Sequence, residues 1–202
     1  MALAAACAPA HRAAAQAGPA GPAAAQDPSL PPPGFGSLRQ DDIGIRLDGR
    51  NLLIRIIPLD EKVIRLLAPD SYRSLHDMRE SHAEQIKAAS RPGMDSAEVF
   101  MVTFFGLQPQ TRFNPDELQI LSQNATYRPV GYVAITPRFS ENQVGAREQA
   151  AAIFVYEPGI EVLRPFTVTY NSLQSDSWNA ALTLLNTERA RVLARSQAQT
   201  RP

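Results

Sequence analysis

Hydrophobic and polar residues alternate with the period of a β-strand where the foldable part of the chain begins. Residues 43–47 place apolar side chains at every second position, and residues 51–57 are nearly continuous in branched apolar residues. Asp48-Gly49 stands between the two segments, and this dipeptide is a strong signal for a tight hairpin turn. The pattern therefore predicts two antiparallel strands.

A helical pattern follows this hairpin. Pro58 ends the second strand because it has no N–H to donate to a neighbouring strand, and Asp60 is placed to cap a short helix over 61–67. Side chains of one face then recur three to four residues apart, at Leu75, Met78, His82 and Ile86. This spacing predicts one longer helix over about 71–89.

The remaining strands are short and regularly spaced. Residues 97–107 are apolar on both faces, which predicts the central strand of a sheet that is covered on two sides. Further strands are predicted around five positions, namely 118–121, 127, 132–135, 151–156 and 166–170. Proline- and asparagine-containing turns separate them, which is typical of a β-sandwich.

The last predicted element is an amphipathic helix. Residues 175–177 form a capping signal, and apolar side chains then recur with helical spacing from Trp178 to Leu193. Two interpretations stay open. The helix packs its apolar stripe on a sheet, with Arg189, Arg191 and Arg195 favourable near its C-terminus, or it lies on a membrane surface or a partner.

These patterns predict a mainly β protein with helices (α+β). Its predicted architecture is an antiparallel β-sandwich with a helical insertion after the first hairpin and a C-terminal amphipathic helix. Residues 38–196 form the single predicted domain. Residues 1–37 are predicted to be a disordered tether rich in Ala and Pro, because they contain few large apolar side chains, and residues 197–202 a disordered tail.

The N-terminal segment predicts export. Cys7, the single cysteine, follows a run of small residues that resembles the end of a bacterial lipoprotein signal peptide, in which such a cysteine is acylated. Two alternatives stay open: cleavage before Gln26 at an A-x-A site over 23–25, and an Ala/Pro tail with an inert thiol. A diacylglyceryl group on Cys7, a new terminus at Gln26 or an intact Met1 distinguishes the three.

Composition narrows the function classes. The chain carries 20 basic and 20 acidic side chains, so it has no net field that would steer it toward nucleic acid or acidic lipid. A polyanion partner is therefore disfavoured. A single cysteine also excludes a disulfide within the chain and any metal site that needs two thiolates.

Sequence motifs predict no catalytic residue, no metal site and no cofactor. The chain contains no Gly-x-Ser-x-Gly elbow, P-loop or dinucleotide motif. His76 and His82 point about 240° apart on one helix, so they cannot chelate a single ion there. The enzyme hypothesis that stays open is a hydrolase-type protein that uses carboxylates, or His76 or His82 facing a strand carboxylate across a cleft.

The element order and the segment that ends at Cys7 resemble bacterial envelope lipoproteins with an immunoglobulin-like domain. The resemblance implies no catalytic residue. It implies a cell-envelope location, as a periplasmic or membrane-anchored lipoprotein or, alternatively, as a secreted protein. The expected function is non-enzymatic, namely interaction with a protein or surface polymer through a shallow, uncharged surface, with a membrane contacted through a lipid anchor and no nucleic acid bound. A subunit of a larger assembly, with an apolar patch on a sheet or on the last helix, is a further alternative.

Overall fold

The computed structural model of the chain describes residues 30–94 and 96–200. The helices are α1 (Glu61–Ile64), α2 (Pro69–Ser81), α3 (Ala83–Ala89) and α4 (Trp178–Thr200). The strands are β1 (Ile45–Asp48), β2 (Leu52–Pro58), β3 (Glu98–Gly106), β4 (Thr111–Arg112), β5 (Leu118–Ser122), β6 (Ala125–Tyr127), β7 (Pro129–Ala134), β8 (Gln143–Val144), β9 (Gln149–Tyr156), β10 (Phe166–Tyr170) and β11 (Leu173–Ser175).

Two antiparallel sheets form the body of the protein. The larger sheet has the strand order β1-β2-β3-β9-β7, and the smaller one has the order β11-β10-β5-β6. β4 and β8 form a separate short pair. The predicted hairpin is confirmed, since β1 and β2 pair in register across the Asp48-Gly49 turn.

The central strand is also confirmed. β3 lies between β2 and β9, and its inward face carries Phe100, Val102 and Phe104, which are fully buried. The other face of β3 lies on the side of the larger sheet that α3 partly covers. There, a Cβ atom on Gly131 of β7 would lie 2.2 Å from the Ala89 carbonyl oxygen, so only glycine lets α3 approach the sheet this closely.

Aromatic side chains join the two sheets. The rings of Phe100 and Phe166 lie 6.2 Å apart and nearly perpendicular, and those of Phe104 and Tyr170 lie 6.0 Å apart. Edge-on and tilted contacts of this kind are favourable ring arrangements in protein cores. The predicted α+β fold, a pair of packed antiparallel sheets with an inserted helical segment and a C-terminal helix, is therefore confirmed.

Helix α4 packs against the smaller sheet rather than standing free. The indole ring of Trp178 stacks on Phe166 at 5.2 Å, and its Nε1–H donates to the Val162 carbonyl oxygen at 2.9 Å. Leu185 and Val192, farther along the same helix, are buried as well. Of the two interpretations of this helix, the structure supports packing on a sheet.

The predicted single helix over 71–89 is wrong at His82. The chain leaves helical geometry there, so that α2 ends and α3 begins. Nδ1 of His82 lies 2.8 Å from the Met78 carbonyl oxygen, and the Ser81 hydroxyl donates to the same oxygen at 2.9 Å. Side chains that compete for a helix carbonyl in this way favour an interruption of the helix.

The ordered body extends beyond the predicted limits of the domain at both ends. Pro31 is buried, and its carbonyl oxygen accepts a hydrogen bond from Arg65 at 3.4 Å. Leu38 pairs with Leu67 in an isolated bridge, and α4 runs past Ser196 to Thr200. The end of the predicted tether and the start of the predicted tail are thus part of the folded structure.

Candidate functional site

Three turns from both sheets meet around a cleft of about 540 Å³. They are the turn between β1 and β2, the loop between β3 and β4, and the turn between β10 and β11. We call this the loop-end cleft. Its charged and amide-bearing lining residues are Arg50, Asn51, Gln108, Gln110, Arg112 and Asn171.

Hydrogen bonds between two of these turns fix the shape of the cleft. The Asn51 carbonyl oxygen accepts from the Leu107 N–H at 2.9 Å. The Thr111 hydroxyl lies 3.2 Å from the same oxygen and 2.9 Å from the Gln108 carbonyl oxygen. Loops that are held in place before binding lose less conformational freedom when a ligand arrives.

Backbone geometry explains which residues form these turns. Gln110 and Asn171 have φ angles of 57° and 50°, in the left-handed region that disfavours β-branched side chains. The Gly49 N–H donates to the Leu52 carbonyl oxygen at 2.9 Å, and a Cβ atom on Gly49 would lie 2.8 Å from that oxygen. Turn geometry thus selects small and amide residues around the cleft.

The described lining of the loop-end cleft carries positive charge only, so the expectation of an uncharged surface does not describe this cleft. Arg50 and Arg112 are exposed, and neither forms an ion pair with another described residue. No carboxylate is present among the described residues that line the cleft. By contrast, most other arginines of the described chain contact an Asp or Glu side chain, as Arg55 contacts Asp41 at 2.8 Å.

A second cleft of about 400 Å³ lies between α1, the start of β3, the connection 159–163 and α4. We call it the Glu98 cleft. Burial raises the pKa of Glu98, the nearby Asp60 carboxylate raises it further, and Lys62 and Arg79 offset part of the rise. Carboxyl groups with a raised pKa occur both in catalytic sites and in purely structural settings.

Neighbouring carboxylates of the Glu98 cleft already have structural roles. Asp60 accepts a hydrogen bond from the Lys62 N–H at 2.7 Å and so caps α1, as predicted. Glu161 forms an ion pair with Arg164. A partner carboxylate that is free to act with Glu98 as an acid–base pair is therefore not provided by either residue.

His76 lies in a polar cluster that joins α1 to α2. Its Nδ1 lies 2.9 Å from Oε1 of Glu61, and its ring stacks on Tyr72 at 5.2 Å. Arg65 forms an ion pair with the same Glu61 carboxylate. Burial would raise the pKa of Glu61, but hydrogen bonds and charge from Arg65 and His76 hold it below its ordinary value.

Within the described part of the chain, the one hydroxyl that contacts His76 belongs to a phenol, which is a poor nucleophile. The hydroxyl within hydrogen-bonding distance of His76 belongs to Tyr72, at 3.4 Å. Burial and the Glu61 charge raise the pKa of Tyr72, so this phenol stays protonated and is a poor nucleophile. His76 lines neither of the two clefts.

The other sequence-derived candidates lie elsewhere. His82 lies at the break between α2 and α3, where its Nδ1 contacts the Met78 carbonyl oxygen and the Ser81 hydroxyl. Cys7 and the segment around Gln26 lie outside the described residues, so acylation and cleavage stay predictions. Within the described residues, no helix is long and apolar enough to span a bilayer, and no three acidic, His or Cys side chains are grouped as metal ligands.

Sequence reasoning missed both clefts. The Asp48-Gly49 turn was the single signal for the loop-end cleft, because its other two turns come from segments far away along the chain. Glu98 stands as one acidic residue at the edge of an apolar strand, which is also typical of an ordinary strand end.

Comparisons with protein-family models, with curated proteins and with solved structures find no match to this chain. The resemblance to immunoglobulin-like envelope lipoproteins therefore stays a prediction.

Proposed function

We propose that this protein is a non-enzymatic interaction domain, associated with the cell envelope or exported, that binds a protein or a surface polymer in its loop-end cleft. One observation carries the proposal. Two exposed arginines that form no ion pair with a described residue, together with four amide side chains, surround a cleft that has no carboxylate in its described lining. Convergent polar groups on fixed loops are the usual features of a binding site.

Export is supported by the sequence. Acylation of Cys7 or cleavage before Gln26 would place the domain in the envelope or outside it. An Ala/Pro-rich segment separates Cys7 from the described body, and such segments act as semi-extended spacers. A domain held in this way can present its loops to material at the cell surface.

The first prediction concerns Ser172, an exposed residue that lines the loop-end cleft. Ser172→Trp fills the cleft with an indole ring. The Ser172 hydroxyl that it replaces forms no hydrogen bond with another described residue. We expect the wild-type protein to be retained on cell-surface material from the producing organism and the variant to lose at least about 80% of this retention, since steric filling blocks the whole site. Sedimentation of the protein with that material measures the retention.

Ser140→Trp is the matched control, because Ser140 is also exposed and lies outside the cleft. It should be retained like the wild-type protein, and both variants should unfold at the wild-type temperature. Equal retention of Ser172→Trp and wild type would contradict binding in this cleft. Treatment of the surface material with protease or with periodate shows whether the retained partner is protein or polysaccharide.

A hydrolase-type enzyme is the second candidate function. The 2.9 Å contact between His76 and Glu61 favours it, because a carboxylate that orients an imidazole is part of many general-base sites. The hydroxyl near His76 belongs to Tyr72 and is a poor nucleophile, which favours the alternative explanation, in which Glu61 links α1, α2 and Arg65. We therefore place the binding function first.

A further inference from the structure

The two arginines of the loop-end cleft suit an anionic group on the ligand. A guanidinium group is planar and always charged, and its fork of N–H donors matches the oxygens of a carboxylate or sulfate. Arg50 and Arg112 lack a carboxylate partner within the described chain and are both exposed. An external oxyanion would complete their hydrogen bonding.

The amide side chains suit a hydroxylated ligand. Asn51, Gln108, Gln110 and Asn171 each offer both donors and an acceptor, which matches sugar hydroxyl groups that donate and accept at once. Four such side chains around one cleft can form hydrogen bonds to sugar hydroxyl groups from several directions.

The apolar lining argues against a protein ligand. Leu52 and Tyr170 are 7% and 5% exposed, so they belong to the core and offer little surface to a partner. The Tyr170 hydroxyl also accepts a hydrogen bond from the Asn114 N–H at 2.9 Å. Protein partners often bind through accessible aromatic or arginine anchors; of the other apolar lining residues, Leu173 is half-buried and Pro109 is exposed, so the cleft offers its arginines but no accessible aromatic anchor.

The net charge of the whole chain is zero, and this favours a ligand with widely spaced charges over a densely charged one. The whole chain has 20 basic and 20 acidic residues, so no long-range field attracts a dense polyanion such as a nucleic acid. Two arginines in one cleft need only one or two oxyanions. The expectation that a polyanion partner is disfavoured stays a prediction, and it rests on the net charge of the chain rather than on the local charge of this cleft.

We infer that the loop-end cleft binds an acidic polysaccharide whose carboxylate or sulfate groups are spaced along a hydroxyl-rich chain. Arg50 and Arg112 bind the oxyanion, and the amide side chains bind the neighbouring hydroxyl groups. This inference rests on the proposed function, because it assigns a ligand class to the same cleft.

Titration calorimetry of the full chain with defined oligosaccharides tests the inference. A hyaluronan hexasaccharide carries carboxylates on alternate sugars, a keratan sulfate hexasaccharide carries sulfates without carboxylates, and chitohexaose is uncharged. We expect at least one acidic oligosaccharide to bind at least about tenfold more tightly than chitohexaose, because charge-assisted hydrogen bonds contribute to its binding alone. The preferred oligosaccharide identifies the anionic group, and raised salt should weaken its binding.

The double variant Arg50→Gln/Arg112→Gln should lose about tenfold or more in affinity for the acidic oligosaccharide. Asn171→Asp introduces a carboxylate of the same shape into the cleft. This variant should also bind the acidic oligosaccharide more weakly. The charge-matched control is Arg128→Gln/Arg147→Gln, since both arginines are exposed, unpaired with described residues and outside the cleft. This control should bind like the wild-type protein.

Three results would overturn the inference. They are failure of both acidic oligosaccharides to bind, equal binding of chitohexaose, and equal or tighter binding of a hexathymidylate or of an alternating Ser-Glu hexapeptide. If the acidic oligosaccharides fail while Ser172→Trp still abolishes retention on cell-surface material, the inferred ligand is wrong and the proposed binding function stands. If Ser172→Trp has no effect on that retention, the proposed function itself fails.

Discussion

Glu98 occupies the first position of the central strand β3, where its side chain is partly removed from water. Burial is the main cause of its raised pKa, and the Asp60 carboxylate adds repulsion. A raised pKa in the folded state means that the ionised form of Glu98 costs stability. This cost is present above the folded pKa and disappears below the ordinary value of 4.5.

Glu98→Gln should therefore stabilise the protein at neutral pH. The variant keeps the shape of the side chain and removes the partly desolvated charge, so we expect the free energy of unfolding at pH 7 to rise by about 1 kcal/mol. The advantage should vanish at about pH 3, because the wild-type carboxyl group is then neutral in both the folded and the unfolded protein. Urea unfolding at the two pH values measures the difference.

Glu84→Gln is the control for this comparison, since Glu84 is exposed on α3. It should change stability little at either pH. A Glu98→Gln protein that is less stable than wild type at pH 7 would show that the Glu98 carboxylate makes a favourable contact instead.

At the scale of elements, one carboxylate connects α4 to the segment that precedes the first strand. Glu188 is 1% exposed, and its Oε1 accepts from the Ser37 N–H at 3.0 Å, the Ser37 hydroxyl at 2.8 Å and Arg195 at 2.8 Å. Burial would raise the pKa of Glu188, but these hydrogen bonds and the Arg195 charge lower it below its ordinary value. The contact holds the end of the predicted tether on the body.

Glu188→Gln should destabilise the protein by about 2 kcal/mol at pH 7, because it weakens charge-assisted hydrogen bonds inside the fold. A lowered folded pKa contributes stability above the ordinary value of 4.5, and this contribution is lost as the pH falls through the folded pKa. The wild-type protein should therefore lose its advantage over the variant below pH 4.5. Urea unfolding between neutral and acidic pH measures this loss.

The exposed Glu84→Gln variant is unfolded in parallel as the control. If Glu188→Gln keeps a constant deficit across the acidic range, the Glu188 charge does not stabilise the folded state and the altered shape of the contact explains the loss.

Local sequence signals predicted an element correctly where a single physical effect, such as helix capping or burial on both faces, determined its structure. Asp60 capped α1 as its position predicted, and the two apolar faces of β3 gave it a central position. The helix over 71–89 was predicted too long, because hydrophobic spacing does not report the competition of Ser81 and His82 for the Met78 carbonyl oxygen. The very short strands β4 and β8 carry too few residues to show a period.

At the scale of the molecule, the sequence predicted the two packed sheets and missed the loop-end cleft. Alternating apolar residues specify which faces are buried, and this is enough to predict two packed antiparallel sheets. The loop-end cleft depends on how turns from three distant segments come together. Likewise, the contact of Glu61 with His76 joins two helices, and no local pattern indicates it.

Hydrogen exchange of the full chain, with and without bound cell-surface material, tests the central claim most directly. The loop-end cleft predicts protection on binding at residues 49–52, 108–112 and 170–173, with little change in α2 around His76 or in the connection 159–163. Protection centred on His76 or on the Glu98 cleft, with the three turns unchanged, would contradict the account.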